Sequence, residues 1–566
     1  MAIKVLRSIV ITLIVFAVVK LMFFNSGTKR NNRKTVIDPG TFWQINLESK
    51  VDRIDPLKLK EEVKPKNILA VPQVDKSDRA DAVKVVAPLN KSPLQIVHLD
   101  LKGAAPKVNY LEQIFPLLSS LGANGILLEY EDMFPYYGDL QILRSPFAYS
   151  LEDIEKIKSL AKLNKLDIIP LVQVFGHLEF VLKHKQYFPL REVIQLPNSL
   201  NPHLPDSVTL VKSMVSQVMA FHPEATWFHM GADEVFGLGT GEDSKNWLQG
   251  NKGGIDQMFL KHTVEMARFI SEKRPGLRVL MWDDMLRKIS PTSVQESGLQ
   301  NFAIPTIWNY GSLEHTVIIG NLISRYESAG FQSLWFASAF KGASLINQIW
   351  TPLQHHLQNH LSWLNVMTSM STKYPSIALK GIMLTGWQRY EHHTVLCELL
   401  PVGIPSLAMC LLTLKHGSFS EKAQAEAHNI LGCKIEVEED ECKGSGAFAG
   451  SQIYHRVHTI HTQLKAEVNK LMDNIFIKGG FGRYQRRHNF ANPRHIEIFH
   501  NGLKILLDKW ETYIEDFRVE MGAIFFTDAV EEWMEENVNT ELDIMRECAE
   551  DAERILKLNG QPSKSL

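Results

Sequence analysis

At 566 residues, 45% apolar and 22% charged, the chain exceeds one ordinary domain and can bury a large core. Its 61 Lys and Arg against 63 Asp and Glu leave a formal charge of −2, which speaks against the concentrated basic field that a broad nucleic-acid surface needs. The five cysteines, Cys397, Cys410, Cys433, Cys442 and Cys548, include no Cys-x-x-Cys pair and specify no disulfide framework.

Residues 5–24 form an apolar run broken only by Arg7, Ser8, Thr12 and Lys20, with no small-residue cleavage site. The run predicts an uncleaved, single-pass anchor at residues 1–25 that attaches the protein to a membrane, Lys20 reaching the interface from its far end. Lys4 and Arg7 precede it and Lys29, Arg30, Arg33 and Lys34 follow, so its orientation, lumenal or cytoplasmic, stays open. Residues 26–94 are rich in Lys, Asp, Asn and Pro and poor in aromatics, and read as a flexible stalk. The triplet Asn90-Lys91-Ser92 within it permits lumenal glycosylation.

From residue 95 apolar, strand-like runs alternate with helix-like segments. Strands are expected at 95–101, 125–131, 167–174, 226–233, 278–284, 303–309, 334–339 and 381–387. Eight such units predict an α/β fold, a (β/α)8 TIM barrel over residues 95–415 whose strand ends converge on one mouth. Beyond it, residues 436–445 read as an exposed acidic loop, and three- and four-residue apolar spacing predicts helices at 451–472, 493–521 and 528–556. Residues 416–566 are therefore expected to form a helical region that covers the barrel.

Polar and aromatic residues recur where the strands should end, which is where barrel chemistry sits. Lys102 follows the first strand, Glu131 the second and His177 the third; the fourth supplies His229, Asp233 and Glu234. Trp282 closes the fifth, Trp308 and Tyr310 the sixth, and Trp387, Arg389 and Glu391 the eighth. Strand alternation places His229, Gly231 and Asp233 on one face, with Glu234 at the opening of a glycine-rich loop. Two adjacent carboxyl groups cannot share one pKa: desolvation and repulsion raise one while hydrogen bonding holds the other ionised, as glycosidic bond cleavage requires. Aromatic rings offer flat faces for a pyranose, so a glycan hydrolase is the economical reading.

The run His229-Met230-Gly231-Ala232-Asp233-Glu234 resembles the His-x-Gly-Ala/Gly-Asp-Glu motif of family 20 glycoside hydrolases, the β-N-acetylhexosaminidases. Further similar stretches are Val97 to Gly103, Leu128 to Pro135, Phe175-Gly176-His177, Trp282 to Arg287 and Leu384 to Tyr390, so the resemblance runs from about residue 95 to residue 555. It implies an exo-acting enzyme that removes terminal N-acetylglucosamine or N-acetylgalactosamine from glycans, without metal or cofactor. The substrate's own 2-acetamido oxygen is then the nucleophile. Glu234 becomes the general acid and base, Asp233 the group that orients the acetamide, and Tyr310 a donor to its oxygen. Trp282, Trp308 and Trp387 wall the sugar, and His177 and His229 set carboxylate protonation. The first strand lacks the arginine common in the family, and the last ends Trp387-Gln388-Arg389, which leaves Lys102, Glu131, Arg389 or Glu391 to grip the hydroxyls. A metal-dependent barrel hydrolase built on His98, His177, His229 and Asp233, and a membrane-tethered glycan-binding protein without turnover, are the competing readings. A homodimer is left open.

Overall fold

A computed structural model of the chain describes residues 93–251, 253–311, 316–559 and 561. The expected anchor, and the expected stalk up to residue 92, lie outside the described residues. Among the described residues no helix is long and apolar enough to cross a membrane.

Eight strands close a barrel: β1 (Leu94–Asp100), β2 (Gly125–Glu129), β3 (Asp167–Leu171), β4 (Trp227–His229), β5 (Arg278–Trp282), β6 (Ala303–Trp308), β7 (Ser333–Lys341) and β8 (Ala378–Gly386). Every neighbouring pair is parallel, and β8 returns to β1 with Leu94 beside Gly381. The alternation of side chains along each strand explains why these runs are apolar throughout. One set, including Ile96, Leu127, Leu171, Trp227, Leu280, Trp335 and Met383, fills the barrel interior. The alternate set, including Val97, Leu128, Phe228, Val279, Phe336 and Ile382, packs outward against the helices. Both faces are buried, so the interior is a packed core that gives way to polar groups at the strand ends.

The helix Leu400–His416 is buried through almost its whole length, consistent with its continuous apolar sequence. Beyond it, the expected helix 493–521 is found as Pro493–Ile524, started by the Asn492 side chain accepting from the Arg494 N–H. The other two expected helices are each interrupted by a wider π turn, at Ile460–Leu464 and Glu535–Asn539. The segment 436–445 departs from the expected loop. It lies largely within a hairpin of Lys434–Glu436 and Glu441–Lys443, stapled by a Cys433–Cys442 disulfide and held by the Cys442 N–H donating to Tyr454 Oη at 2.7 Å.

Candidate active site

β4 stops at His229, four residues before the expected end, because the next residues leave the extended region. Gly231, Ala232 and Glu234 have φ of 62°, 69° and 42°. The alternation expected to place Asp233 beside His229 therefore fails, and a left-handed turn delivers the acidic pair instead. For Ala232 and Glu234 this backbone costs about 1–3 kcal/mol each, and surrounding bonds must hold it. The Ala232 N–H donates to Gln173 Oε1 at 3.1 Å, and the Glu234 N–H donates to Asp284 Oδ2 at 2.9 Å. Glu131 (φ 45°) and His177 (φ 50°) are also left-handed, so strained non-glycine backbone gathers on the ends of β2, β3 and β4. Gly176 is required beside them: a Cβ there would lie 2.1 Å from the Asp233 carbonyl oxygen. This close approach brings His177 to the carboxyl groups.

His177 Nε2 lies 3.4 Å from Asp233 Oδ2 and 3.3 Å from Glu234 Oε2, and Gln173 Nε2 donates to Asp233 Oδ1 at 2.9 Å. Burial pushes the Asp233 carboxyl up, but the His177 charge and the bonds from His177 and Gln173 outweigh it and hold it below the ordinary aspartate range. Burial pushes His177 down, yet Asp233 and the bonds to both carboxylates raise it well above an ordinary histidine, making it an imidazolium. His229 behaves differently. Burial lowers it to about 3, its Nδ1 accepts the Gly231 N–H at 3.1 Å, and its ring packs 4.4 Å from that of Trp282. It braces the turn, whereas His177 alone of the two holds both carboxylates.

The aromatic residues form one group. Trp308 stacks on Tyr310 with centroids 5.2 Å apart, Trp387 Nε1–H donates to Tyr310 Oη at 3.0 Å, and Trp282 lies 6.0 Å from Trp387. Lys102 Nζ sits 5.6 Å from the Trp387 ring centroid, 3.2 Å from Asp100 Oδ1 and 3.5 Å from Glu131 Oε1. Burial pushes Glu131 up, but Lys102 and His392 bring it down to about 2. From Glu131 the network continues through His392 Nδ1 at 3.0 Å to Lys183, 2.8 Å from His392 Nε2, and on to Asp132 at 3.1 Å.

Arg389 is placed elsewhere than expected. Its guanidinium is doubly bonded to the Glu532 carboxylate, one arm at 2.6 Å, and the Leu396 N–H donates to Glu532 Oε1 at 3.2 Å. Arg389 thus fastens the loop after β8 to the helix Thr527–Met534. Glu391 lies half-buried in that loop, its N–H donating to Thr394 Oγ1 at 3.2 Å. Two polar residues of the site, Lys183 and His392, escaped sequence reasoning, because they come from loops whose sequence carries no signal. Gln173 and Asp284 stand at the ends of expected strands, but nothing in the sequence assigned them a role. Among the described residues no group of three His, Cys, Asp or Glu side chains is arranged to hold a metal ion.

A closed parallel barrel whose mouth carries adjacent carboxyl groups, Asp233 buried and Glu234 partly exposed, beside an aromatic wall defines a glycoside hydrolase. Residues 114–319 match the glycosyl hydrolase family 20 catalytic domain. The chain is 43% identical over 466 residues to hexosaminidase D of Homo sapiens, covering 82% of this chain and 95% of that protein. It is 52% identical over 339 residues to hexosaminidase D of Bos taurus, covering 60% and 97%. The chain belongs to glycosyl hydrolase family 20. Among solved structures, the chitobiase of Flavobacterium johnsoniae is similar with a TM-score of 0.44 and 14% identity, over 82% of this chain and 72% of that one.

Proposed function

We propose that this enzyme is an exo-acting β-N-acetylhexosaminidase that removes terminal N-acetylglucosamine or N-acetylgalactosamine from glycans by substrate-assisted, retaining hydrolysis. The observation that carries the reading is the placement of the adjacent carboxyl groups: His177 Nε2 lies 3.4 Å from Asp233 Oδ2 and 3.3 Å from Glu234 Oε2, and its charge helps hold Asp233 below the ordinary aspartate range. Asp233 accepts the acetamido N–H, turns the acetamido oxygen toward the anomeric carbon and stabilises the oxazolinium ion that forms. Glu234 gives its proton to the departing glycosidic oxygen, then takes one from the water that opens the oxazolinium, so two inversions retain the anomeric configuration. Tyr310 donates to the acetamido oxygen; burial raises the pKa of its phenol and keeps it a donor. Trp308 and Trp387 enclose the ring, backed by Trp282, which is fully buried in the barrel core rather than open to the sugar as expected, and the Lys102–Glu131 pair faces its hydroxyls.

A panel of aryl β-glycosides with and without the 2-acetamido group tests this. Turnover is expected only where the acetamide is present, and is expected to survive a chelator. Comparable hydrolysis of the 2-hydroxy glycosides would refute substrate assistance.

We propose further that residues 5–24 tether the barrel to a membrane, a reading supported by their apolar sequence. Alkaline carbonate washing should leave the full chain in the membrane pellet; release into the wash removes the proposal.

A further inference from the structure

Asp284 stands in the Trp-Asp-Asp triple that closes β5, beside an aspartate with a different task. Asp283 is fully buried and is held by Arg287, at 2.9 and 2.6 Å, and by the Tyr326 hydroxyl at 2.8 Å. Asp284 turns to the acidic pair. Its Oδ2 accepts the N–H of Glu234 at 2.9 Å, and its Oδ1 accepts the indole N–H of Trp308 at 3.3 Å. One carboxyl group therefore grips both the strained backbone of Glu234 (φ 42°) and a ring of the aromatic wall. The charged groups around it are Asp233 and Glu234 from the end of β4, with His177 bridging them from β3, and Arg287 and Asp283 from its own segment; Tyr326 approaches from the helix Thr316–Ser328. Four carboxyl groups thus face two cations.

We propose that Asp284 is a positioning residue for the reaction, holding Glu234 at its working geometry through the Glu234 N–H while fixing Trp308 beside it. The inference rests on the reading of Glu234 as the proton donor. Burial and the charge of Asp233 push Asp284 up to about 7, against the pull of Arg287 and the Glu234 N–H. Both groups it holds are N–H donors, so each needs an oxygen at its position, which one carboxyl group supplies to both.

The test is the steady-state kinetics of the full chain carrying Asp284→Asn or Asp284→Glu, on aryl N-acetyl-β-glucosaminides of graded leaving ability, with Glu234→Gln assayed in parallel. The amide of Asp284→Asn keeps an oxygen for one N–H donor and points its own NH2 at the other. Its kcat is expected to fall on the order of 10²-fold with KM little changed, as for a misplaced reacting group. The loss is expected to grow as the leaving group becomes more basic, because a displaced acid fails most where protonation is most needed. Asp284→Glu displaces the same backbone and should lose kcat with the same dependence on the leaving group.

An unchanged kcat in Asp284→Asn, or a loss that is equal across the leaving-group series, overturns the proposal. If that variant does not fold, Asp284→Glu decides by the same two outcomes. Wild-type turnover by Glu234→Gln instead removes the underlying assignment of the acid, so the two failures are distinguishable.

Discussion

Glu234→Gln should still bind an N-acetyl-β-hexosaminide with a KM near the parent's while its kcat falls by roughly 10²–10⁴-fold. The substitution is isosteric, and the backbone bond from Glu234 to Asp284, at 2.9 Å, involves no side-chain atom of Glu234. What disappears is a proton for the leaving oxygen and a base for the incoming water. The loss should deepen as the leaving group becomes more basic, since a good aryl leaving group departs with little help. Steady-state kinetics over aryl substrates of graded leaving ability gives the answer; a parental rate across the series would contradict the role.

Asp233→Asn is expected to lose at least as much, on the order of 10²-fold or more on N-acetyl substrates, because a preorganised charge beside the developing cation contributes more to the rate in such sites than proton transfer does. The amide also presents its NH2 to donors that now meet a carboxylate, His177 Nε2 at 3.4 Å or Gln173 Nε2 at 2.9 Å. Stability follows the same pair. Asp233 lies below its ordinary value, so it contributes stability that is present above the unfolded aspartate pKa of about 3.9 and lost as pH falls through the folded value. His177 lies above its ordinary value, so its contribution is complete below about 6.5 and is lost as pH rises through the folded value. Thermal unfolding of Asp233→Asn against pH should therefore show a lower midpoint near neutrality and a weaker acid dependence than the parent. An unchanged unfolding profile would show that the pair is uncoupled, and a wild-type rate on N-acetyl substrates would end the assignment of Asp233.

The barrel was legible because a parallel strand buried on both faces needs a run of apolar residues, and eight such runs recur with helix-forming sequence between them. The acidic pair was legible as a motif. Its geometry was not: the strand reading carried β4 on through Asp233, and the turn that ends it at His229 is held by bonds to Gln173, Asp284 and His229 itself, which the strand pattern does not announce. The role of Arg389 was misread for a related reason. A charged side chain at a strand end looks available in sequence, and nothing local announces a carboxylate 143 residues further on. The cysteines were likewise silent, since the spacing of Cys433 and Cys442 becomes meaningful only once a hairpin brings them together.

The Arg389–Glu532 clasp bears on how the enzyme can be dissected. Trp387, two positions before Arg389, is a proposed wall of the sugar site, and its loop is pinned by a residue that the helical tail supplies. The tail also reaches the start of the barrel, where the Lys107 N–H donates to the Ile524 carbonyl at 2.7 Å. A chain shortened to its barrel would lose a hinge pin along with its cover, and silence from such a fragment would report an unmoored tryptophan while saying nothing about the competence of the carboxyl pair.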